Sequence, residues 1–281
     1  MKINVEIDSK SGVCGGVQRA IKMVESRLKT DTKPVFVNGE LLHNRLEMER
    51  LIDAGLKVNE NVCEVERATI FIRTHGVGKN FIDKAKLCGN EIIDATCPKV
   101  RRSQDKVEEF YKSGYQIVIV GKINHPEVIG LLGYCNNEAI VIYSEDDFFK
   151  IDLTKKTAIL TQTTVAQNQF FDLVEKLKRI LPDLLVADTL CSFVENREFE
   201  LDSFARKYDV IVFIGGNNSS NTKVMYERIS KINSRSHLIE NPFQIERSWF
   251  IDGDKVGVSG SASTPLWQIE EVAEKIKSIT N

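Results

Sequence analysis

Apolar residues along this chain alternate between two spacings. Short unbroken runs such as Val35-Phe36-Val37, Ile117-Val118-Ile119-Val120 and Val210-Ile211-Val212-Phe213-Ile214 have the length and β-branched content of strands buried on both faces. Each follows a stretch with helical spacing. Val17, Ala20, Ile21, Val24 and Leu28 precede the first, Val100, Val107, Phe110 and Tyr111 the second, and Val194, Leu201 and Phe204 the third. A later set of runs begins at Thr69, Ala158 and Val256, and the apolar positions Leu266, Ile269, Val272, Ala273 and Ile276 predict a closing helix. Strands alternating with amphipathic helices predict an α/β protein with largely parallel sheets.

The elements also repeat. Asp94-Ala95-Thr96-Cys97 and Asp188-Thr189-Leu190-Cys191 both read D-x-x-C and lie 94 residues apart. The same offset carries Gly121 onto Gly215, His125 onto Ser219 and Glu127 onto Asn221. Cys14 heads a third copy, 25 residues before Gly39, against 24 between cysteine and glycine in the other two. Thr69 to His75 matches Ala158 to Thr164, and the third counterpart is Val256 to Ser263. A repeat of this length is a domain-sized unit rather than a solenoid turn. Three units are expected, over 1–96, 97–190 and 191–281, with the N-terminal strand Lys2 to Ile7 completing the third. A circular arrangement with all three cysteines facing one centre follows from ligands binding at the carboxyl ends of parallel strands.

Bulk properties narrow the classes. The 281 residues carry a formal charge of -2, with 42% apolar and 28% charged residues, which offers no basic footprint for nucleic acid. No signal-like or membrane-spanning apolar run is present in the sequence, so a cytoplasmic protein is expected. Six cysteines without a C-x-x-C pair do not resemble a secreted disulfide framework.

Cys14, Cys97 and Cys191 each fall at a strand-to-helix turn, where the positive end of a helix stabilises thiolate. Zinc and an iron–sulfur cluster are both open to three thiolates. Structural zinc usually takes four ligands, often two of them close in sequence. A [4Fe–4S] cluster held by three cysteines leaves one iron with an open position for a substrate oxygen. Cys63, Cys88 and Cys135 have no matching register and read as core. The same ring of strand ends supplies His43, His75, His125, Thr163, Ser219, Ser220, Asn221 and Ser263. Imidazoles, hydroxyls, an amide and helix N-termini suit an anion such as phosphate. Glu127 is the conspicuous carboxylate, and an anionic surrounding raises its pKa toward that of a proton donor.

Nine ordered motifs carry a resemblance: Gly12-Val13-Cys14-Gly15-Gly16, Gly39-Glu40-Leu41-Leu42-His43-Asn44, Thr74-His75-Gly76-Val77, Asp94-Ala95-Thr96-Cys97-Pro98, Asn124-His125-Pro126-Glu127, Thr161-Gln162-Thr163-Thr164, Asp188-Thr189-Leu190-Cys191, Asn218-Ser219-Ser220-Asn221 and Ala262-Ser263-Thr264-Pro265. Together they resemble the 4-hydroxy-3-methylbut-2-enyl diphosphate reductases, the LytB family. The resemblance implies a pseudo-threefold trefoil of three α/β units around one [4Fe–4S] cluster. Cys14, Cys97 and Cys191 are its implied ligands, and the apical iron stays open. It implies diphosphate binding by His43, His75, His125, Ser219, Ser220, Asn221 and Ser263, with Thr163 near the allylic alcohol and Glu127 delivering protons. Isopentenyl and dimethylallyl diphosphates are the implied products, and reduced ferredoxin or flavodoxin the implied electron donor. Val194 stands where many relatives carry threonine, an expected change in the pocket wall. An electron carrier using the same cluster would not need the ring of polar residues. A dehydratase acting on an acyl-CoA would need a different substrate.

Overall fold

The computed structural model describes residues 1–61 and 64–280, with only the backbone of Val194, Glu195, Glu198 and Thr280. Cys63 and the side chain of Val194 therefore lie outside the described residues.

The strands form three parallel four-stranded sheets. The first contains β2 (Val35–Val37), β3 (Lys57–Val58), β4 (Thr69–Ile72) and β5 (Glu91–Asp94), in the order β3-β2-β4-β5. The second contains β6 (Gln116–Val120), β7 (Ile140–Ile142), β8 (Thr157–Thr161) and β9 (Leu185–Val186), in the order β7-β6-β8-β9. The third contains β10 (Val210–Ile214), β11 (Ser236–Ile239) and β12 (Lys255–Gly260), and its fourth strand is β1 (Asn4–Ile7), in the order β11-β10-β12-β1. Every sheet thus has the same doubly wound order, second-first-third-fourth. The N-terminal strand completes the third sheet as expected, pairing Val5 with Val256 and Ile7 with Val258.

By internal packing the chain divides into two compact units. The first comprises Met1–Gln18, Leu42–Asp53 and Ser192–Asn281 and contains the third sheet. The second comprises Arg19–Leu41 and Ala54–Cys191 and contains the other two sheets.

Burial on both faces explains the unbroken apolar runs. In the second sheet Val118, Val120 and Ile159 join one core cluster, while Ile117, Ile119, Ala158 and Leu160 join another on the opposite face. Alternate side chains of one strand point to opposite faces, so a strand covered twice must be apolar throughout. In the third sheet Val210, Val212, Ile214, Val256 and Val258 pack against Ile269, Val272, Ala273 and Ile276 of α9 (Leu266–Thr280). Leu266, read above as part of that apolar face, is 52% exposed. It opens the helix, ahead of the first turn that meets the sheet. Gly257 has a packing reason: a Cβ there would lie 2.6 Å from the Tyr208 ring and 2.8 Å from that of Phe204. Cys135 is fully buried in the second sheet's core and Cys88 is half-buried.

Candidate functional site: cysteine turns and polar strand ends

Each of the three cysteines precedes a helix: Cys14 opens α1 (Gly15–Thr30), Cys97 opens α4 (Pro98–Lys112) and Cys191 opens α7 (Ser192–Lys207). The backbone treats them alike. Cys14 donates its N–H to the carbonyl of Ala262 at 2.9 Å, Cys97 to Thr74 at 2.9 Å, and Cys191 to Thr163 at 3.0 Å. Those acceptors are the residues that the sequence alignment of later strands makes equivalent. Each cysteine is half-buried. Pro98 at the first position of α4 sacrifices an N–H that has no helical partner there.

The aspartate of the D-x-x-C turn has a structural task. Its side chain accepts the N–H two residues on, from Thr96 to Asp94 at 2.9 Å and from Leu190 to Asp188 at 3.0 Å. This Asx turn ends the strand and aims the chain at the cysteine. The third copy uses Asp8, which accepts from Lys10 at 3.0 Å. Sequence reasoning missed Asp8, because six residues rather than three separate it from Cys14. Its equivalence rests on strand pairing, and the only sequence signal was its place just after the β1 run. Asp8 also forms a buried ion pair with Arg197, and Ser259 bonds both of them.

The 94-residue offset also holds at the caps. His125 is the N-cap of α5 (Pro126–Leu132) and Ser219 the N-cap of α8 (Ser220–Ile232). His125 Nδ1 accepts the Glu127 N–H at 3.2 Å, which leaves Nε2 as the nitrogen that carries the proton in the neutral ring. Ser219 Oγ accepts the Thr222 N–H at 3.2 Å, leaving its hydroxyl proton to donate. In the remaining copy the cap shifts by one residue: Asn44, not His43, opens α2 (Arg45–Asp53), accepting from Glu47 N–H at 3.0 Å.

The second unit brings together His75, Cys97, His125, Glu127, Thr163 and Cys191. The rings of His75 and His125 meet edge to face, with centroids 5.5 Å apart. Gly76, the residue after His75, has a φ of 73°, a left-handed conformation that glycine adopts without strain. Glu127 is 1% exposed. Its Oε1 accepts the Thr163 N–H at 2.7 Å and its Oε2 accepts the Thr163 hydroxyl at 2.8 Å. Burial raises its pKa from the ordinary 4.5 to about 7, against the lowering effect of those two bonds. Burial also pushes the Cys97 thiol up, and the nearby charges of Cys191 and Glu127 add to this.

The first unit contains Cys14, His43, Ser219, Ser220, Asn221 and Ser263. Ser263 donates to the His43 carbonyl at 3.2 Å. A Cβ on Gly216 would lie 2.8 Å from that same carbonyl, so only glycine lets the Gly215–Asn218 loop pass. The Asn221 side-chain oxygen is buried with no hydrogen-bond partner among the described residues, so its amide is able to turn its N–H groups toward an anion.

These features define an α/β protein with three matched sheets, a cysteine opening a helix after each, and a buried carboxylic acid beside two of those cysteines. The chain belongs to the LytB protein family, which it matches over residues 5–277. It is 39% identical to the 4-hydroxy-3-methylbut-2-enyl diphosphate reductase of Chloroherpeton thalassium, covering 99% of this chain and 97% of that one. It is 37% identical to the same-named protein of Campylobacter lari, covering 99% of each. Among solved structures it resembles an (E)-4-hydroxy-3-methyl-but-2-enyl diphosphate reductase, described as the terminal enzyme of the non-mevalonate pathway. That likeness has a TM-score of 0.77 at 33% identity and covers 99% of this chain and 100% of the other. It also resembles the E-1-hydroxy-2-methyl-but-2-enyl-4-diphosphate reductase of Plasmodium falciparum, with a TM-score of 0.88 at 27% identity over 99% of this chain and 88% of that one. Among the described residues no helix is long and apolar enough to cross a membrane.

Proposed function

We propose that this chain is a 4-hydroxy-3-methylbut-2-enyl diphosphate reductase, converting its allylic substrate to isopentenyl and dimethylallyl diphosphates. The observation that carries this reading is Glu127: a buried acid with a pKa of about 7, held at both oxygens by Thr163 beside Cys97 and Cys191. Such a group is about half protonated at neutrality, which suits it to hold and deliver a proton from a position buried away from water.

Cys14, Cys97 and Cys191 would hold a [4Fe–4S] cluster. The donor set fits it: Cys97 and Cys191 are free thiols at helix starts, and burial disfavours the Cys97 thiolate unless a cation sits beside it. When bound, the cluster supplies electrons and an iron with an open coordination position. Reduced ferredoxin or flavodoxin is the proposed source of those electrons.

Two electrons and two protons balance the reaction: the C–O bond breaks, the hydroxyl leaves as water with one proton, and the second proton forms a C–H bond at one of two allylic carbons. Thr163 orients Glu127 through both carboxylate oxygens and lies near the substrate hydroxyl. His43, His75, His125, Ser219, Ser220, Asn221 and Ser263 are the proposed diphosphate donors. Ser219 and Ser220 stand at the N-terminus of α8, where helix N–H groups favour an anion. Protein purified and reconstituted without oxygen should contain iron and acid-labile sulfide in equal amounts. Protein that folds normally yet retains neither after reconstitution would remove the cluster from this reading.

A further inference from the structure

The loops carrying His43 and Ser219 are joined by a buried amide that none of the motifs includes. Gln268 lies in the first turn of α9 and is 1% exposed. Its Oε1 accepts from Asn44 Nδ2 at 2.8 Å, and its Nε2 donates to the Glu240 carbonyl at 2.7 Å. Glu240 in turn accepts the Asn217 N–H on its carboxylate at 2.7 Å. Asn217 leads into Asn218-Ser219-Ser220-Asn221, and Asn44 follows His43.

The direction of this relay is set at one end. Asn44 Oδ1 is committed to the Glu47 N–H as the cap of α2, so only its N–H2 faces Gln268. That fixes the Gln268 carbonyl toward Asn44 and its N–H2 toward Glu240. A carboxamide supplies one acceptor and one donor at this spacing, whereas an apolar side chain supplies neither. A second link joins the same two helices without reaching Glu240: Trp267 donates from Nε1 to Glu47 Oε2 at 2.9 Å.

We propose that Gln268 is a positioning residue for diphosphate, setting the His43 loop and the Ser219 loop at the separation a diphosphate requires; this rests on the diphosphate reading above. Breaking the relay leaves the buried Asn44 amide and the half-buried Glu240 carbonyl unpaired and lets the two loops drift apart, while Glu127 and Thr163 keep their own contacts.

The test is calorimetric titration of the full chain with inorganic pyrophosphate, together with steady-state turnover, for wild type, Gln268→Met and Trp267→Phe. Gln268→Met should weaken pyrophosphate about tenfold, the scale of one buried hydrogen bond lost. It should raise KM by a similar factor and leave kcat within about twofold. Trp267→Phe should change neither. Should Gln268→Met fail to fold, Gln268→Glu carries the test, since it keeps the acceptor facing Asn44 and loses the donor facing Glu240. Unchanged pyrophosphate binding in the Gln268 variant overturns the proposal alone, as does an equal loss in Trp267→Phe, which would mark a general loosening of the two helices. Wild-type protein that binds no pyrophosphate overturns the diphosphate reading and the proposal with it.

Discussion

Replacing Glu127 with glutamine should stabilise the protein above neutral pH while stopping its chemistry. Folding raises the carboxyl's pKa from 4.5 to about 7, so the native state binds this proton more tightly than the unfolded chain. The stabilisation is whole below about pH 4.5 and is lost as pH rises through about 7. The difference corresponds to about 3 kcal/mol, at 1.36 kcal/mol for each unit of pKa. Glutamine has the same shape, accepts from the Thr163 N–H and donates to the Thr163 hydroxyl, and carries no charge to desolvate. The assay is denaturation of wild type and Glu127→Gln in parallel from pH 5 to pH 8 without oxygen. The variant should gain on the wild type by about 3 kcal/mol across that range, and turnover should fall by about 10²–10⁴, the usual worth of a positioned proton donor. Infrared difference spectra should show a protonated carboxyl at pH 6 in wild type that the variant lacks. Two stability curves that run parallel from pH 5 to pH 8 would refute the argument, because no buried proton would then be held at Glu127.

Other outcomes follow from the same geometry. Arg197→Met leaves Asp8 as a buried charge without its partner and should cost about 3–5 kcal/mol in denaturation, whereas Arg197→Met with Asp8→Leu should recover much of that loss. Alanine at Cys14, Cys97 or Cys191 should each lower bound iron after reconstitution. Cys135→Ala, in the core of the second sheet, should keep iron binding and lower only the melting temperature. Gly133→Ala places a Cβ 2.4 Å from the Gly78 Cα, backbone against backbone, and should lower the melting temperature more than Gly89→Ala, where no atom lies within 4 Å and only the positive φ opposes the change.

The repeat was legible in the sequence because it lies in runs. Doubly covered strands must be apolar throughout, so Ile117–Val120 and Val210–Ile214 announce themselves, and β1 could be assigned to the third sheet because that copy lacked its fourth strand. The cysteine turns were legible because Asp94 and Asp188 share one spacing. Asp8 escaped because its loop is longer by three residues, and an insertion hides a turn that hydrogen bonding still preserves. The cap at Asn44 is hidden for a related reason: it lies five residues after Gly39, whereas His125 and Ser219 lie four residues after Gly121 and Gly215. Gln268 left no sequence signal, because its partners Asn44 and Glu240 are 224 and 28 residues away. The division into two units was equally hidden, since it places Leu42–Asp53 with residues far along the chain. The pKa of Glu127 was anticipated from neighbouring anions, whereas burial is its leading cause.

The most direct measurement is turnover of 4-hydroxy-3-methylbut-2-enyl diphosphate by reconstituted, chemically reduced protein, with products resolved by chromatography. Wild type should form isopentenyl and dimethylallyl diphosphates together, and Glu127→Gln protein with undiminished iron should form neither. Wild-type protein with a full complement of iron and sulfide that binds pyrophosphate yet forms neither product would contradict it.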